Sequence, residues 1–419
     1  MNKFSTGITK TEYIDPVAYI QNQRCRFELD GSKVAYLPNM RLLDLGCSSN
    51  VATAYNRGLG VVSLIKNIRL LDARTELSAL RTVAPYMLFK STNHTNSENK
   101  SVKSWLQRNN MGHETSAINA EQDHIYPSGS AGATVADSKS GIIRLDELLP
   151  FLKDVGVLPT SIFKNLVLEI EFNANPLDQI LIKNNSEINT LRPVLAVDYI
   201  ENQNAVEPLA ANLMENGVRW LEIETDNGSM PAVDVSGYAA TAAIDSTVNI
   251  NSLAFLDKNV ERVLITKQLL DKTQTVDGAN NVLGYGLPSS FANLQQALQI
   301  RLNGRNILPG FKGVKGDNAR LGLMCDTWGT MCMLPGSNFY QWDQSFNLFQ
   351  EGRVGGQQDY FGMLLGAKVA NLQIQIERET NADTSVTRPT NSAQTVNIYG
   401  EVHKALTIRP DGSYRIQYV

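Results

Sequence analysis

The two halves of this chain carry similar strand-like segments, separated by about half of its 419 residues. Lys66-Asn67-Ile68-Arg69 has a counterpart in Lys258-Asn259-Val260-Glu261, and residues 165–172 have a counterpart in residues 371–378. A single apolar core usually stops growing at about 250–300 residues, so a chain of this length predicts two domains. An internal duplication of strand-rich units therefore constrains the fold more than any other feature.

Alternating apolar and polar residues predict antiparallel strands. Residues 165–172 and 371–378 place apolar side chains at every second position, which directs one face to a core and the other to solvent. Near the C-terminus, strands at 405–409 and 414–419 flank Pro410-Asp411-Gly412-Ser413, a turn sequence that predicts a terminal hairpin. A second hairpin is predicted over residues 27–37, followed by a strand at 40–45.

Helices are predicted to be few and short, at residues 75–81 and 290–301. The polar segments 107–141 and 380–395 are predicted to be loops. Residues 201–215, which include Pro208, are interpreted as a linker. We therefore predict an N-terminal arm and first domain over 1–205 and a second domain over 206–419.

Many short strands, few helices and turns rich in Gly, Pro and Asn indicate an antiparallel sandwich or barrel in each half. The formal net charge of −4 and the lack of a dense basic block argue against a protein that wraps nucleic acid by neutralising phosphates. The sequence does not begin with the apolar core of a secretory signal peptide. It also contains no stretch of about 18 apolar residues that could span a membrane. The sequence therefore predicts a soluble protein that is intracellular when made.

No group of residues has the spacing of a catalytic or metal centre. His113 and His124 lie in the polar segment near Glu114 and Asp123, but a solvated loop is favoured because no known metal-ligand spacing occurs. The four cysteines form no Cys-x-x-Cys pair and are predicted to be free thiols, mostly buried: Cys25, Cys47, Cys325 and Cys332. We predict no catalytic residues, no cofactor-binding residues, no metal ligands and no cofactor.

Three further features favour structural roles. The glycine-rich stretch 310–316 lacks the Gly-Lys-Ser/Thr end of a phosphate-binding loop and is predicted to be a tight turn. Asp146-Glu147 is predicted to start a short helix that Leu148-Leu149-Pro150-Phe151-Leu152 docks on a sheet. The isolated tryptophans are predicted to lie in the core or in an interface: Trp220, Trp328 and Trp342.

Several segments, taken in order, resemble the major capsid proteins with two jelly rolls, the lineage of adenovirus hexon and the tectiviruses. The nearest resemblance is to the capsid proteins of virophages and polinton-like viruses. It covers most of the chain, from about residue 27 to the terminal hairpin. The segments that carry it are 60–68, 148–152 with 158–159, 165–172, 192–195, Asn303-Gly304-Arg305-Asn306 with 307–310, and Asp326-Thr327-Trp328-Gly329.

The resemblance implies an all-β fold of two tandem antiparallel eight-stranded jelly-roll sandwiches with a few short helices in loops. It implies a structural major capsid protein without enzymatic activity. Homotrimers would form pseudo-hexameric capsomers that tile an icosahedral virus shell. The protein would be made as a soluble protein in the host cell and would then reside in the virion capsid. The implied partners are the chain itself, neighbouring capsomers, penton and minor capsid proteins and an internal membrane, without sequence-specific nucleic-acid binding.

Two alternatives stay open. One is a minor shell or vertex protein, although such proteins often use a single jelly roll. The other is a bicupin or lectin-like carbohydrate-binding protein, since paired jelly rolls also host metal and sugar sites. A bicupin needs clustered His-x-His ligands, which the four scattered histidines do not provide. Residues 1–22 are expected to form an arm that reaches the inner face of the shell.

Overall fold

The computed structural model describes residues 9–49, 62, 64–92, 135–139, 143–159, 162–163, 165–173, 188–201, 203–234, 236–238, 243–269, 275–276, 279–280, 296–315, 360–381, 393–409 and 413–419. These residues form two compact units. The first contains the described parts of Met1–Met87, Lys100–Ile223 and Val402–Val419, and the second contains those of Leu88–Asn99 and Glu224–Glu401. The last 18 residues of the chain, Val402–Val419, therefore belong to the first unit.

Strands make up most of the described chain. Those of the first half are β1 (Thr9–Ile14), β2 (Ala18–Ile20), β3 (Arg24–Glu28), β4 (Val34–Leu43), β5 (Gly46–Ser49), β6 (Ile65–Asp72), β7 (Thr75–Arg81), β8 (Val135–Lys139), β9 (Ile143–Arg144), β10 (Val157–Pro159), β11 (Leu166–Phe172), β12 (Ile188–Thr190) and β13 (Val194–Ile200). Those of the second half are β14 (Val218–Met230), β15 (Ala243–Ser252), β16 (Asn259–Leu269), β17 (Thr275–Val276), β18 (Ala279–Asn280), β19 (Gln296–Leu302), β20 (Arg305–Asn306), β21 (Val314–Lys315), β22 (Tyr360–Lys368), β23 (Leu372–Asn381), β24 (Gln394–Ile408) and β25 (Tyr414–Tyr418).

Helices in the described ranges are short: α1 (Val83–Thr92), α2 (Pro150–Val155) and α3 (Gln203–Asn216), with a 3-10 turn at Leu145–Glu147. The strands of the first half form two main sheets. Sheet S1 has the order β1-β13-β4-β10, with β9 also paired to β4, and sheet S2 has the order β2-β3-β11-β6-β7. Strands β12, β5 and β8 form a smaller third sheet.

The second half repeats this strand order. Sheet S3 has the order β14-β24-β16-β22, with β25 also paired to β24, and sheet S4 has the order β15-β23-β19-β20, with β21 also paired to β19. Strands β1, β13, β4 and β10 thus correspond to β14, β24, β16 and β22, and strands β3, β11, β6 and β7 correspond to β15, β23, β19 and β20. The chain contains two tandem jelly rolls, as predicted.

One hairpin shows the duplication at the level of single hydrogen bonds. A two-residue turn connects β6 to β7, and another connects β19 to β20. The first residues of these turns, Ala73 and Asn303, both have a φ of 52°. The N–H of Ala73 donates to the carbonyl of Asn165 at 2.9 Å, and that of Asn303 donates to the carbonyl of Asn371 at 2.8 Å. The same turn is therefore attached to equivalent strands in both halves.

The predicted strands with the clearest alternation are confirmed. Residues 165–172 contain β11 and residues 371–378 begin β23, and these two strands occupy equivalent positions. The terminal hairpin is confirmed as β24 and β25. The proposed match of Lys66-Asn67-Ile68-Arg69 to Lys258-Asn259-Val260-Glu261 is wrong, because β6 corresponds to β19 whereas β16 corresponds to β4.

Two predicted helices are strands. Residues 75–81 form β7, which pairs with β6, and the described part of 290–301 belongs to β19, which pairs with β23. Leu77 and Leu80 are fully buried, so pairing and burial at the sheet edge outweigh a local preference for helix. The predicted linker at 201–215 is largely α3, which contains Pro208.

The N-terminal segment and the predicted hairpin over 27–37 also differ from expectation. Strand β1 pairs with β13 from Thr9 to Ile14, and β2 pairs with β3, so residues 9–14 and 18–20 belong to the jelly roll and the expected arm is wrong for them. Residues 1–8 lie outside the described part, as do most of the predicted loops at 107–141 and 380–395. Strands β3 and β4 lie in different sheets, so their connection crosses from S2 to S1.

Among the described residues, S1 and S2 use only strands up to Ile200, and S3 and S4 use only strands from Val218 onward. This distribution supports the division of the jelly rolls into 1–205 and 206–419, which we keep as a proposal. The compact units are a different grouping, because Val402–Val419 joins the first unit.

The short helix α2 is docked as the sequence predicts. The turn before it contains Asp146, which accepts a hydrogen bond from Arg144 Nε at 2.9 Å. Four apolar side chains of this segment are fully buried: Leu148, Leu149, Phe151 and Leu152. The ring of Phe151 meets that of Trp220 edge to face at 5.0 Å, so this tryptophan lies in the core. Trp328 and Trp342 lie outside the described residues.

Candidate assembly surfaces

Within the described ranges, no three His, Cys, Asp or Glu side chains are grouped so that they could hold a metal ion. His403 is exposed, whereas Cys25 is a fully buried free thiol. Burial raises the pKa of Cys25 to about 12, although the charge of Arg192 acts to lower it. His94, His113 and His124 lie outside these ranges, and so do Cys325 and Cys332. The prediction of no catalytic or metal site stays a prediction.

None of the helices that the structure describes is long and apolar enough to span a bilayer. The glycine-rich stretch begins in a turn, as predicted, and its described part ends in β21.

The outward face of S2 carries interleaved charges of both signs. Across three neighbouring strands, Glu169 of β11 lies opposite Arg26 of β3 and Arg69 of β6. Arg69 Nε donates to Glu169 Oε1 at 3.0 Å, and this bond raises the pKa of Arg69. Lys66 Nζ donates to a Glu171 oxygen at 2.8 Å. We name this surface the ionic face: Arg26, Glu28, Lys66, Arg69, Glu169 and Glu171.

The outward face of S4 carries amides at the positions equivalent to Arg26, Glu28, Arg69 and Glu169, but it keeps a charge at Glu377, the equivalent of Glu171, and also carries Arg301. Gln375 of β23 lies opposite Asn249 of β15 and Gln299 of β19. In the next row, Gln373 Nε2 donates to Asn251 Oδ1 at 2.9 Å. We name this surface the amide face: Thr247, Asn249, Asn251, Gln299, Gln373 and Gln375.

The inward-facing neighbours fix the equivalence of the two faces. One position along, each of the three neighbouring strands in both sheets carries a buried apolar residue, namely Phe27, Leu168 and Leu70 in S2 and Ile250, Ile374 and Ile300 in S4. The cores of the two jelly rolls are therefore alike at these positions. Their outward faces differ in the row Arg26, Glu169 and Arg69, which is Asn249, Gln375 and Gln299 in S4, whereas S4 also carries the charged Glu377 and Arg301.

Residues 307–313, the strap, cover one margin of the amide face. Gln299 is fully buried beneath them, and its Nε2 donates to the carbonyls of Leu308 at 3.2 Å and Gly310 at 2.8 Å. The N–H of Leu308 donates back to Gln299 Oε1 at 3.0 Å. Lys312 forms an ion pair with Glu377, and Phe311 is 76% exposed. The strap thus presents an aromatic ring beside the amides.

Replacing Gly313 by alanine is expected to lift the strap. Gly313 has a φ of +87°, and a Cβ there would overlap the backbone carbonyl of Leu298, which belongs to β19. Strain and the loss of the Gln299 hydrogen bonds should together lower the free energy of unfolding by about 2 kcal/mol or more. Faster amide hydrogen exchange at Leu308 would report the lifting directly.

Gly310→Ala is the matched control. Gly310 also has a positive φ, of +76°, but the nearest atom to an added Cβ is 3.9 Å away. Only the left-handed strain of about 1–2 kcal/mol applies there. Equal exchange rates at Leu308 in the two variants would contradict the assigned role of Gly313.

A buried carboxylate of β14 is hydrogen-bonded to β7 in the first unit. Glu222 of β14 is 1% exposed, and its Oε1 accepts hydrogen bonds from Ser78 Oγ and the Ala79 N–H, both at 2.9 Å. Its Oε2 accepts from Trp220 Nε1 at 2.6 Å. Burial raises the pKa of Glu222 to about 7, although the charge of Lys404 on β24 and these hydrogen bonds oppose the shift.

The terminal hairpin is anchored in the first unit by Tyr414. Its hydroxyl donates to Asp72 Oδ2 at 2.6 Å, and the ring lies 5.1 Å from that of Phe163. The Asn165 N–H donates to the other Asp72 oxygen at 2.7 Å, so this carboxylate, 4% exposed, has two donors. Burial, together with the bond to Asp72, raises the pKa of Tyr414.

Glu222 and Gln299 were not predicted from the sequence. The run Trp220-Leu221-Glu222-Ile223 carries a signal that could have found the first, since a lone carboxylate among apolar strand residues needs hydrogen-bonding partners. Gln299 had no such signal, because its burial depends on a strap that follows it in the chain.

No protein-family model matches the sequence. No curated protein matches it either. Among solved structures, the major capsid protein of mavirus is similar with a TM-score of 0.54 and 11% sequence identity, over 97% of this chain and 90% of that chain. A chain of the Sputnik virophage, determined by cryo-EM, is similar with a TM-score of 0.56 and 12% identity, over 98% of this chain and 88% of that chain.

These similarities extend over nearly the whole chain and include both jelly rolls. The predicted resemblance to double jelly-roll capsid proteins is confirmed at the level of the fold, and with it the all-β fold class.

Proposed function

We propose that this chain is the structural major capsid protein of a virus with an icosahedral shell. The observation that carries the proposal is the tandem duplication of a complete jelly roll, together with similarity to the mavirus major capsid protein over 97% of this chain. The duplicated strand order supports a building block that presents two like units from one chain. We propose that the chain has no enzymatic activity and binds no cofactor.

Three copies of such a chain would place six like jelly rolls around a threefold axis. A closed ring needs surfaces on each copy that complement the next, and permanent interfaces of this kind commonly bury about 2,000 Å² or more. The resulting pseudo-hexameric capsomer would tile the facets of the shell. Its further partners would be neighbouring capsomers, penton and minor capsid proteins and an internal membrane, and its place would be the virion capsid after synthesis as a soluble protein in the host cell.

The native mass of the purified chain tests this function. Light scattering should give three times the mass of one chain, and negative-stain images should show a hexagonal outline. A monomer that binds a sugar array would support the lectin-like alternative and refute the capsid proposal. Copy number in purified particles separates a major from a minor shell or vertex protein, because only the major protein should outnumber every other shell component.

A further inference from the structure

We propose that the buried carboxyl group of Glu222 is a proton-operated junction within the first unit, which holds β14 against β7 while it keeps its proton and opens when the proton leaves. This inference concerns the folded single chain. It goes beyond the capsid proposal and does not depend on it. We name the group of side chains and backbone that forms this contact the carboxyl junction: Ser78, Ala79, Trp220 and Glu222.

The carboxyl junction lies at an edge of sheet S2. Among the strands that the structure describes, β7 pairs only with β6, so the backbone groups on its other side have no strand partner. The N–H of Ala79 donates instead to Glu222 Oε1 at 2.9 Å. Ser78 Oγ donates to the same oxygen at 2.9 Å. One side chain of β14 therefore takes the place of a neighbouring strand at this edge.

The surroundings of Glu222 suit a carboxyl group that holds a proton. Glu222 is 1% exposed, and its three hydrogen-bond donors are all neutral groups. An ionised carboxylate is costly to bury when no cation is bonded to it. Ser78 Oγ can accept a hydrogen bond as well as donate one, whereas the other two donors cannot, so it offers an acceptor for the proton of a neutral Glu222. The junction can thus stay closed around the protonated group.

Lys404 of β24 is the charged group that opposes proton binding at Glu222. Lys404 is buried, its charge favours the ionised carboxylate, and its Nζ lies over the ring of Tyr418 on β25. The other charged or titratable groups near the junction are either paired or exposed. The ion pairs are Glu76 with Arg81 on β7 and Glu224 of β14 with Lys258. The exposed groups are Arg219, His403, and Lys153 and Asp154 of α2.

Loss of the proton favours the open junction because opening hydrates the carboxylate of Glu222. Burial raises the pKa of Glu222 to about 7 in the closed form, whereas a hydrated glutamate ionises near its ordinary value of 4.5. The closed form therefore binds the proton more tightly than the open form. Its advantage is complete below pH 4.5 and is lost as the pH rises to 7. From pH 5 to pH 8, the equilibrium constant for opening should rise about 70-fold.

The opening is expected to be local because a second contact holds the terminal hairpin. Tyr414 donates to Asp72 Oδ2 at 2.6 Å, and burial raises the pKa of Tyr414, so its hydroxyl keeps its proton between pH 5 and pH 8. The core of S2 is also unaffected by the junction. Leu168 is fully buried on β11, between β3 and β6, so its amide exchanges with solvent only through a larger unfolding event.

Amide hydrogen exchange of the purified full chain tests the junction, since the Ala79 N–H donates to Glu222 itself. After correction for the intrinsic exchange rate, the protection of Ala79 should fall about 70-fold from pH 5 to pH 8 and level off near pH 7. It should stay below the protection of Leu168 throughout, because local opening needs less free energy than unfolding of the core.

Two variants separate this junction from a structural contact that does not titrate. Glu222→Gln has no carboxyl group, so the protection of Ala79 should become independent of pH whatever its absolute value. Lys404→Met removes the charge that favours ionisation and keeps the apolar stem, so the fall in protection should level off at a higher pH. His403→Gln is the matched control, because this neighbour of Lys404 is exposed, and its profile should equal that of wild type.

Four results would overturn the inference. They are a wild-type protection of Ala79 that does not change with pH, a pH dependence that persists in Glu222→Gln, a profile of Lys404→Met that matches His403→Gln, and equal protection at Ala79 and Leu168. None of them bears on the capsid proposal, which the native mass tests.

Discussion

Between about pH 4.5 and pH 8, the folded chain is expected to lose about 3 kcal/mol of stability through one carboxyl group, that of Glu222. Burial raises the pKa of Glu222 from 4.5 to about 7 in the folded state. Between these two pKa values, Glu222 of the folded chain holds a proton that Glu222 of the unfolded chain has released. The stabilising contribution is therefore complete below the unfolded pKa and is lost as the pH rises through the folded pKa.

The surroundings of Glu222 explain why its ionised form is disfavoured. Ser78, Ala79 and Trp220 offer neutral donors, and Lys404 is the charged group whose field favours ionisation. Lys404 is itself 5% exposed, and its Nζ lies 5.2 Å from the centre of the Tyr418 ring. One buried lysine and three hydrogen bonds offset only part of the loss of water around the carboxylate.

Glu222→Gln removes the titration and should reduce the difference in unfolding free energy between pH 5 and pH 8 by about 2–3 kcal/mol relative to wild type. Urea denaturation at the two pH values measures it. Glu76→Gln is the control, since Glu76 lies on the strand that Glu222 contacts but forms a surface ion pair with Arg81. A wild-type pH difference that persists in Glu222→Gln would contradict the assignment.

Phe151→Ala is expected to lower the free energy of unfolding by about 3–5 kcal/mol. Phe151 is fully buried between α2 and the core, and its edge-to-face contact with Trp220 at 5.0 Å would be lost together with its buried area. The midpoint of urea denaturation should fall while its slope stays constant, because the folded state is compact in both proteins.

Leu253→Ala serves as the control for this substitution. Leu253 is 76% exposed, so its truncation should change the free energy of unfolding by no more than about 0.5 kcal/mol. Both variants are to be compared with wild type at one protein concentration, since association adds to apparent stability. A loss below about 1 kcal/mol in Phe151→Ala would mean that α2 does not form part of the core.

The parts of the fold that the sequence predicts are those with a local cause. Strands β11 and β23 follow from strict alternation, and the terminal hairpin follows from Pro410-Asp411-Gly412-Ser413. Residues 75–81 have helix-favouring composition, yet β7 forms because β6 provides a pairing edge that lies outside any local window. Asn303-Gly304 is a hairpin signal, and it would have identified the residues before it as strand rather than helix.

The candidate surfaces could not be predicted because they depend on register. A shift of one residue in the pairing of β11 or β23 would turn each outward row toward the core. Only the observed register places Arg26, Glu169 and Arg69 in one row, and Asn249, Gln375 and Gln299 in the equivalent one. The sequence shows charges and amides in separate strands, but not that they occupy equivalent positions in two sheets.

The position of the terminal hairpin has a consequence for the order of events on the ribosome. Val402–Val419 belongs to the first unit, although it is translated after all of the second. Asp72 therefore lacks the Tyr414 hydroxyl, and Glu222 lacks Lys404, until translation has reached the last two strands of the chain. Cotranslational folding that completes an N-terminal domain before the next one is made cannot finish the first unit of this chain.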